Sequence, residues 1–484
     1  MPGSQEGLRA WARRRNRTLM YTNRSIFRRA DLGQVRLVLA LGLPLAGSHL
    51  AQFALQVTDT IMLGWYGVAD LAAGVLGAAV FFTLFIFGTG FANAVMPMVA
   101  TNAASDNDAE VRRATRMGLW LSVGFGLAVL PIFWWSGPLL RALDQPPEVA
   151  ALAQDYLRIL GFSMVPALVV MVIKNFLAAL QRTQVVLWVT VGAVFVNILV
   201  NWILIFGNLG MPEMGVRGAA YASVLVHSLS ALALMAYAGL LPALRRYSLW
   251  QRFWRPDWQA MGAVWRLGWP IGVALVAESG LFAATAVMMG WLGTQQLAAH
   301  GIALEITAMF FMIHLGLSNA ATVIVGRARG HHDQDALRRG AATAVAVSMG
   351  VAVLTMVVYV IFGPWMVGLF LAPDEPQRAA IIAIGYALVL VAALFQLADA
   401  AQVMAMGLLR GVQDTRVPML IAAFSYWVAG LGSSYLLGFT LGFGGEGIWF
   451  GLVIGLTLAA VMLMWRFWRG PGRAPPTPVQ RPAV

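Results

Sequence analysis

LGLPLAGSHLAQFALQVTDTIMLGWYGVADLAAG, residues 41–74, returns 226 positions later as LGWPIGVALVAESGLFAATAVMMGWLGTQQLAAH, residues 267–300. The register holds without a gap through residue 113. Leu41-Gly42 falls on Leu267-Gly268, Pro44 on Pro270, Gly64-Trp65 on Gly290-Trp291, Gly90 on Gly316, Asn93 on Asn319 and Arg112-Arg113 on Arg338-Arg339. Both copies lie in long apolar runs, so the chain reads as two similar membrane-embedded halves, a common construction for transporters. The carboxylates break the symmetry: Asp59 maps to Thr285, and Glu278 maps back to Gln52.

Composition points the same way. Hydrophobic residues make up 60% of the 484 and charged ones 11%, against roughly 25% charged in a soluble domain. A helix needs about 20 apolar residues to cross the hydrocarbon. The backbone there must bond internally, so repeated runs of that length mean a helical bundle. The net charge of +12 is not a nucleic-acid signal, because the arginines sit in loops and tails. There is no cysteine, hence no disulfide and no thiolate metal site. No phosphate-cradling Walker loop is present, so ATP on this chain is not the expected energy source and no cofactor is called for.

Apolar stretches fall near residues 35–65, 70–101, 113–136, 151–178, 184–206 and 217–241, then 265–292, 297–325, 341–363, 378–408, 417–439 and 446–467. The expected fold is an all-α membrane protein with twelve transmembrane helices in two pseudo-symmetric six-helix bundles. Its parts are a basic extension (1–34), an N-lobe (35–241), a linker (242–264), a C-lobe (265–468) and a disordered tail (469–484). The first 36 residues carry nine arginines and no apolar core for a signal peptide, and the leader is read as a retained cytosolic extension near anionic headgroups, the alternative being an organelle transit peptide.

Arginine placement sets the orientation. With both ends cytosolic, the inner segments hold Arg112, Arg113, Arg182, the linker arginines, Arg327, Arg329, Arg338, Arg339, Arg410 and Arg416, and the outer side keeps Arg141, Arg158, Arg217 and Arg378. An even number of spans per half makes the halves parallel rather than inverted. The linker is basic and holds Trp250, Trp254 and Trp258, which suits an amphipathic segment at the inner interface and equally an aqueous connector. Pro44 and Pro270 sit at matching depths and are expected to bend their helices, either as moving parts or as static shaping.

An ionised carboxylate at mid-membrane costs roughly 2.5–3.5 kcal/mol. Four lie in apolar stretches: Asp59, Glu278, Glu305 and Asp399. Each is a candidate carrier of H+ or Na+, the alternative being a hydrogen-bonded acid that glues helices together. Asn197 and Asn201 are four apart and project from one face. They could give Asp59 an oxygen shell for Na+ or a donor network controlling its protonation, and Ser223 is a weaker addition. His49, His227, His300 and His314 show no second ligand at metal spacing and read as local hydrogen-bonding residues. Met and Phe residues such as Met309 read mainly as lipid-facing or core, with a subset available to line an adaptable cavity.

The stretch Gln56-Val57-Thr58-Asp59-Thr60, Glu278 followed by Phe282, and the run Gln396-Leu397-Ala398-Asp399-Ala400-Ala401-Gln402 with Gly407-Leu408-Leu409-Arg410-Gly411 resemble the multidrug and toxic compound extrusion (MATE) family, in its NorM-like bacterial branch. Asn197 to Gly207 with Gly215 to Ala220 looks like the family's fifth-to-sixth helix junction. Gln181-Arg182-Thr183 repeats as Gln413-Asp414-Thr415, now at an offset of 232. The resemblance covers residues 35 to 468.

It implies a bacterial inner-membrane monomer whose lobes alternate access to a central cavity while exchanging small organic cations for H+ or Na+. It implies coupling roles for Asp59, Asn197, Asn201 and Ser223 in the N-lobe and for Glu278 and Asp399 in the C-lobe. Drug contacts are expected at Asp59, Glu278, Asp399, Phe282 and Met309, and a Na+ site, where one exists, at Asp59 with Asn197 and Asn201 or at Glu278 with Asp399. Glu305 departs from the family pattern, standing where an amide is expected, and adds a carboxylate to the coupling set. Two rivals are weaker. A lipid-linked precursor flippase needs a basic cavity, and a membrane transferase needs a sizeable polar loop.

Overall fold

A computed structural model describes residues 32–142, 145–251, 253–373 and 376–470. The basic leader up to residue 31 and the tail from 471 lie outside the described residues. Among the described residues, twelve helices are long and apolar enough to cross a membrane. They are α1 (Leu32–Tyr66), α2 (Val68–Ala104), α3 (Asp108–Trp134), α4 (Pro147–Ala179), α5 (Thr183–Phe206), α6 (Val216–Leu240), α7 (Trp258–Trp291), α8 (Thr294–Gly330), α9 (Gln334–Gly368), α10 (Arg378–Gly411), α11 (Arg416–Thr440) and α12 (Gly444–Arg469). The described residues contain no strand, and the expected all-α architecture is the one observed.

The sequence repeat is a structural repeat to the residue. Helices α2 and α3 begin at 68 and 108, and α8 and α9 at 294 and 334, each 226 positions later. Turn chemistry is copied as well. Asp106 and His332 both take positive φ, 51° and 55°. The next residues, Asn107 and Asp333, cap α3 and α9 by accepting the backbone N–H of Glu110 and of Ala336, which satisfies amides a helix start otherwise leaves unpaired. Further on the offset is 232. Gln181 and Gln413 have φ of 62° and 60°, and the following N–H groups close back on Leu177 and Leu409 at 2.8 and 2.9 Å.

The lobes meet where α1 crosses α8 and α2 crosses α7. Both crossings are backbone against backbone, which explains why the glycines repeat. A Cβ on Gly90 would stand 2.5 Å from the Gly268 carbonyl oxygen and from the Gly272 nitrogen, and one on Gly42 would stand 2.7 Å from Leu317. Gly316 lies against the Ala46 backbone. Small residues allow this approach in a membrane, where packing must replace the hydrophobic drive between helices. Pro44 and Pro270 sit within these crossings, and α1 and α7 run on as single helices through them.

All these contacts lie toward the end of the bundle that carries the arginine-rich loops. Toward the other end the same helix faces come free. On α8 the interface face of Gly316 and Asn319 continues at helical spacing into Met309, Glu305, Gly301, Ala298 and Thr294, all exposed. On α2 the face of Gly90 continues into Thr83, Ala79, Val75, Ala72 and Val68, again all exposed and each 226 positions earlier. Two matched stripes are therefore packed lobe on lobe at the basic end and exposed toward the opposite one.

The segment between lobes is a docked strap. Its 3-10 turn, Pro242–Tyr247, buries Leu244 and Tyr247. Arg116 of α3 donates to the Arg255 carbonyl and Trp120 to the Phe253 carbonyl, both at 3.0 Å. Arg113 binds Asp257 through Nε at 2.5 Å and Nη2 at 3.1 Å, and also pairs with Glu110. Asp257 in turn caps α7 by accepting the Ala260 N–H. Helix α7 thus starts at Trp258, ahead of the apolar stretch expected from residue 265.

Candidate functional site

Asp59 sits on the outer half of α1 and is the focus of an N-lobe network. Asn197 and Asn201 of α5, both buried, donate their amide groups to Asp59 Oδ1 at 3.0 and 2.6 Å. Ser223 of α6 donates to Oδ2 at 3.2 Å, and the Asn201 amide also reaches Asn197 Oδ1 at 3.3 Å. The i, i+4 spacing on a regular helix brings both asparagines to one carboxylate. Of the two arrangements open at the sequence level, the structure displays the donor network; an oxygen shell for Na+ requires both amides to turn over. The symmetry-related positions are Thr285, Ala429 and Ser433, so the C-lobe holds no copy of this site.

The C-lobe has its own chamber around α10. Asp399 is buried and lies near enough to Glu278 of α7 for their charges to interact, and Glu278 in turn faces Arg410. The protein supplies no hydrogen-bond partner to Glu278 Oε1, Asp399 Oδ2, Gln402 Oε1, Ser425 Oγ or the Gln396 amide. Gln402 donates to the Tyr426 hydroxyl at 2.5 Å. Ser425 and Tyr426 belong to a π-helical stretch of α11, Phe424–Gly430, and such local widening recurs at functional sites. Phe282, one turn beyond Glu278, stacks edge-on against Phe395, which meets Trp449 at 5.7 Å.

Not every expected site residue joins these groups. Asp59 interacts with N-lobe residues, and Glu278 and Asp399 with C-lobe residues, so the three acids occupy two chambers rather than a shared one. Glu305 and Met309 belong to neither and lie on the exposed α8 stripe, Met309 46% exposed. Three of the four helix histidines have side-chain partners: His314 faces Ser348 at 3.0 Å, His300 accepts from Trp449 at 3.1 Å, and His49 meets Asn319 across the lobe interface at 3.1 Å.

Two buried cations escaped the sequence reading. Arg410 was assigned to the inner-face loops but is 8% exposed inside the C-lobe. Lys174 of α4, the only lysine in the sequence, is 1% exposed and donates to Gln52 Oε1 at 3.1 Å. Gln52 is the counterpart of Glu278. One lobe therefore sets a lysine on a neutral amide, and the other puts a carboxylate at the equivalent place, within range of the charge on Arg410. Rarity was the available signal: a single lysine among 33 basic residues, placed mid-helix.

The MatE family profile matches residues 44–203 and 270–436. The chain is 43% identical over 434 residues to the "Probable multidrug resistance protein NorM" of Rhizobium meliloti, covering 90% of this chain and 93% of that one. It is 37% identical over 430 residues to the "Multidrug resistance protein NorM" of Burkholderia vietnamiensis, covering 88% and 92%. Among solved structures, the eukaryotic MATE transporter AtDTX14 superposes with a TM-score of 0.82 at 17% identity, covering 92% of this chain and 98% of that one. An "Outward-facing conformation of a multidrug resistance MATE family transporter of the MOP superfamily" gives 0.81 at 21% identity, covering 90% and 96%. Paired six-helix lobes, acids set within the helices of both, and similarity along nearly the whole chain lead to one assignment: the chain belongs to the multidrug and toxic compound extrusion (MATE) family of membrane transporters.

Proposed function

We propose that this protein is a cation-coupled multidrug antiporter of the bacterial inner membrane. It exports small organic cations, exchanges them for H+ or Na+, and works as a monomer. The observation that carries this reading is the pair of acidic sites, Asp59 with its three donors and half-buried Glu278 with buried Asp399, one in each lobe, where the lobes pack on each other at one end only. The names of the relatives, multidrug resistance proteins, support the cargo class. Arginine-rich loops at the shut end support a cytosolic position for it, so in this reading the exposed stripes bound a cleft that opens outward.

In this reading a cation taken up at the acids favours one lobe geometry and drug favours the other. Coupling arises because each ligand binds the two geometries unequally. A proton on Asp59 Oδ2 is met by Ser223, whose hydroxyl can turn to accept it, while Oδ1 keeps both amides; a proton on Oδ1 instead faces two amide donors and would displace them. The orphaned oxygens of the C-lobe chamber suit a proton, water or a small cation. Glu305 and Met309 on the cleft wall supply charge and adaptable apolar surface to the drug, with Phe282 roofing the C-lobe chamber.

The test is ethidium transport by purified protein in liposomes under imposed pH and Na+ gradients. Gradient-driven uphill transport that Asp399→Asn reduces about tenfold or more is expected. Transport that dissipates with the drug's own gradient would mark a channel instead.

A further inference from the structure

At the basic end a cavity of about 580 Å³ is lined by Arg112, Arg113 and Arg116 of α3 and by Arg255, Asp257 and Trp258 at the strap's junction with α7. Its charge is unbalanced. Arg113 is engaged with Asp257 and Glu110 and Arg116 with the Arg255 carbonyl, and the lining sets four guanidinium groups against one carboxylate. Arg112 and Arg255 form no ion pair with any described residue. Four arginines held this close repel one another, and an anion among them would relieve that strain.

Position says which anion. The cavity lies where the apolar runs of α3 and α7 begin, at the water boundary of the membrane. Trp254 and Trp258 beside it are 71% and 74% exposed, in the manner of indoles that sit at headgroup level. Guanidinium groups bind phosphate through paired N–H donors, and basic pockets between membrane helices take phospholipid headgroups. The site is not a by-product of the repeat. Arg112-Arg113 recurs as Arg338-Arg339, but Arg116 falls on Ala342.

We infer that this cavity binds the phosphate of an anionic phospholipid, and that the bound headgroup bridges α3 of the N-lobe to α7 of the C-lobe. The drug site plays no part in the argument, because organic cations are repelled from this surface. A soluble phosphate ion has the same binding chemistry but makes no use of the flanking indoles.

Native mass spectrometry of the whole protein, released from nanodiscs of mixed phosphatidylglycerol and phosphatidylcholine, tests this directly. The unmodified protein is expected to keep phosphatidylglycerol over phosphatidylcholine by roughly tenfold or more, and millimolar inorganic phosphate should not displace it. Arg112→Gln with Arg255→Gln should lose most of that preference, while Arg339→Gln, at the equivalent place in the other half, should keep it. Three results would overturn the inference: no headgroup preference in the unmodified protein, displacement by inorganic phosphate, or undiminished retention by the folded double variant. Since the unmodified protein is measured first, a misfolded variant cannot shelter the idea.

Discussion

Lys174 is the residue least expected from an apolar membrane helix. A buried ammonium with one neutral acceptor gives up more hydration than a single hydrogen bond returns. Lys174→Met keeps the volume and removes the charge, so its melting temperature in detergent should equal or exceed that of the unmodified protein while drug transport falls. A large drop in melting temperature would show that the lysine holds the lobe together instead. Asp59→Asn should separate stability from function in a similar way. Interhelical hydrogen bonds in membranes average about 0.6 kcal/mol, so the altered contacts should shift stability by roughly 1 to 2 kcal/mol, while drug exchange falls on the order of tenfold. Melting curves and liposome transport on the same preparation check both. Asp59, Asn197 and Asn201 were legible because a carboxylate and paired amides stand out among leucines and valines. Lys174 was not, because one charge in an otherwise apolar run does not alter the reading of a span, and its amide partner is 122 residues away.

Among elements, the glycine crossings carry the sharpest expectations. Gly90→Val would drive side-chain atoms into the Gly268 carbonyl, so the shut end must loosen. Overpacking of this kind costs roughly 1–3 kcal/mol, and a cysteine pair placed across the basic end should cross-link less readily. Gly350→Ala, where an added Cβ meets nothing within 4 Å, is the control and should leave cross-linking unchanged. The strap offers a pH test. Hydrogen bonds from Arg113 hold the Asp257 carboxyl below the usual carboxylate range. A lowered acid contributes stability above its unfolded value near 3.9 and loses it only as pH falls through its lower folded value. The Arg113–Asp257 tie should therefore persist throughout pH 5–8, and Asp257→Asn should weaken the protein uniformly over that window. A pH-dependent difference in melting temperature there would contradict the assignment. The twelve spans and their repeat could be read from apolar runs and glycine spacing. The strap could not, because Arg116 and Trp120 hold it by backbone carbonyls that leave no trace in side-chain pattern, and Arg113 meets Asp257 across 144 residues of chain.

For the molecule as a whole, the cleft makes the conformational prediction. With no cysteine in the sequence, spin-label pairs can be placed cleanly on α2 and α8 at Val75 and Gly301, and on α1 and α8 at the shut end. Under a drug or pH change that drives turnover, the first distance should shorten as the second lengthens. Both moving the same way would indicate expansion rather than exchange of access. Which end stands open was not legible in the sequence, because the same residues line the faces in either geometry and only their contacts differ.

The glycine-lined crossings also bear on how fast such a machine turns. Where peptide groups meet, few interlocked rotamers have to disengage, Leu317 against Gly42 and Phe91 against Trp265 among them, so one lobe can roll on the other like a bearing. Resistance to that roll then falls to a few discrete catches, the His49–Asn319 contact and the strap's arginine clasp among them. Turnover speed becomes a property that single substitutions far from any cargo can adjust.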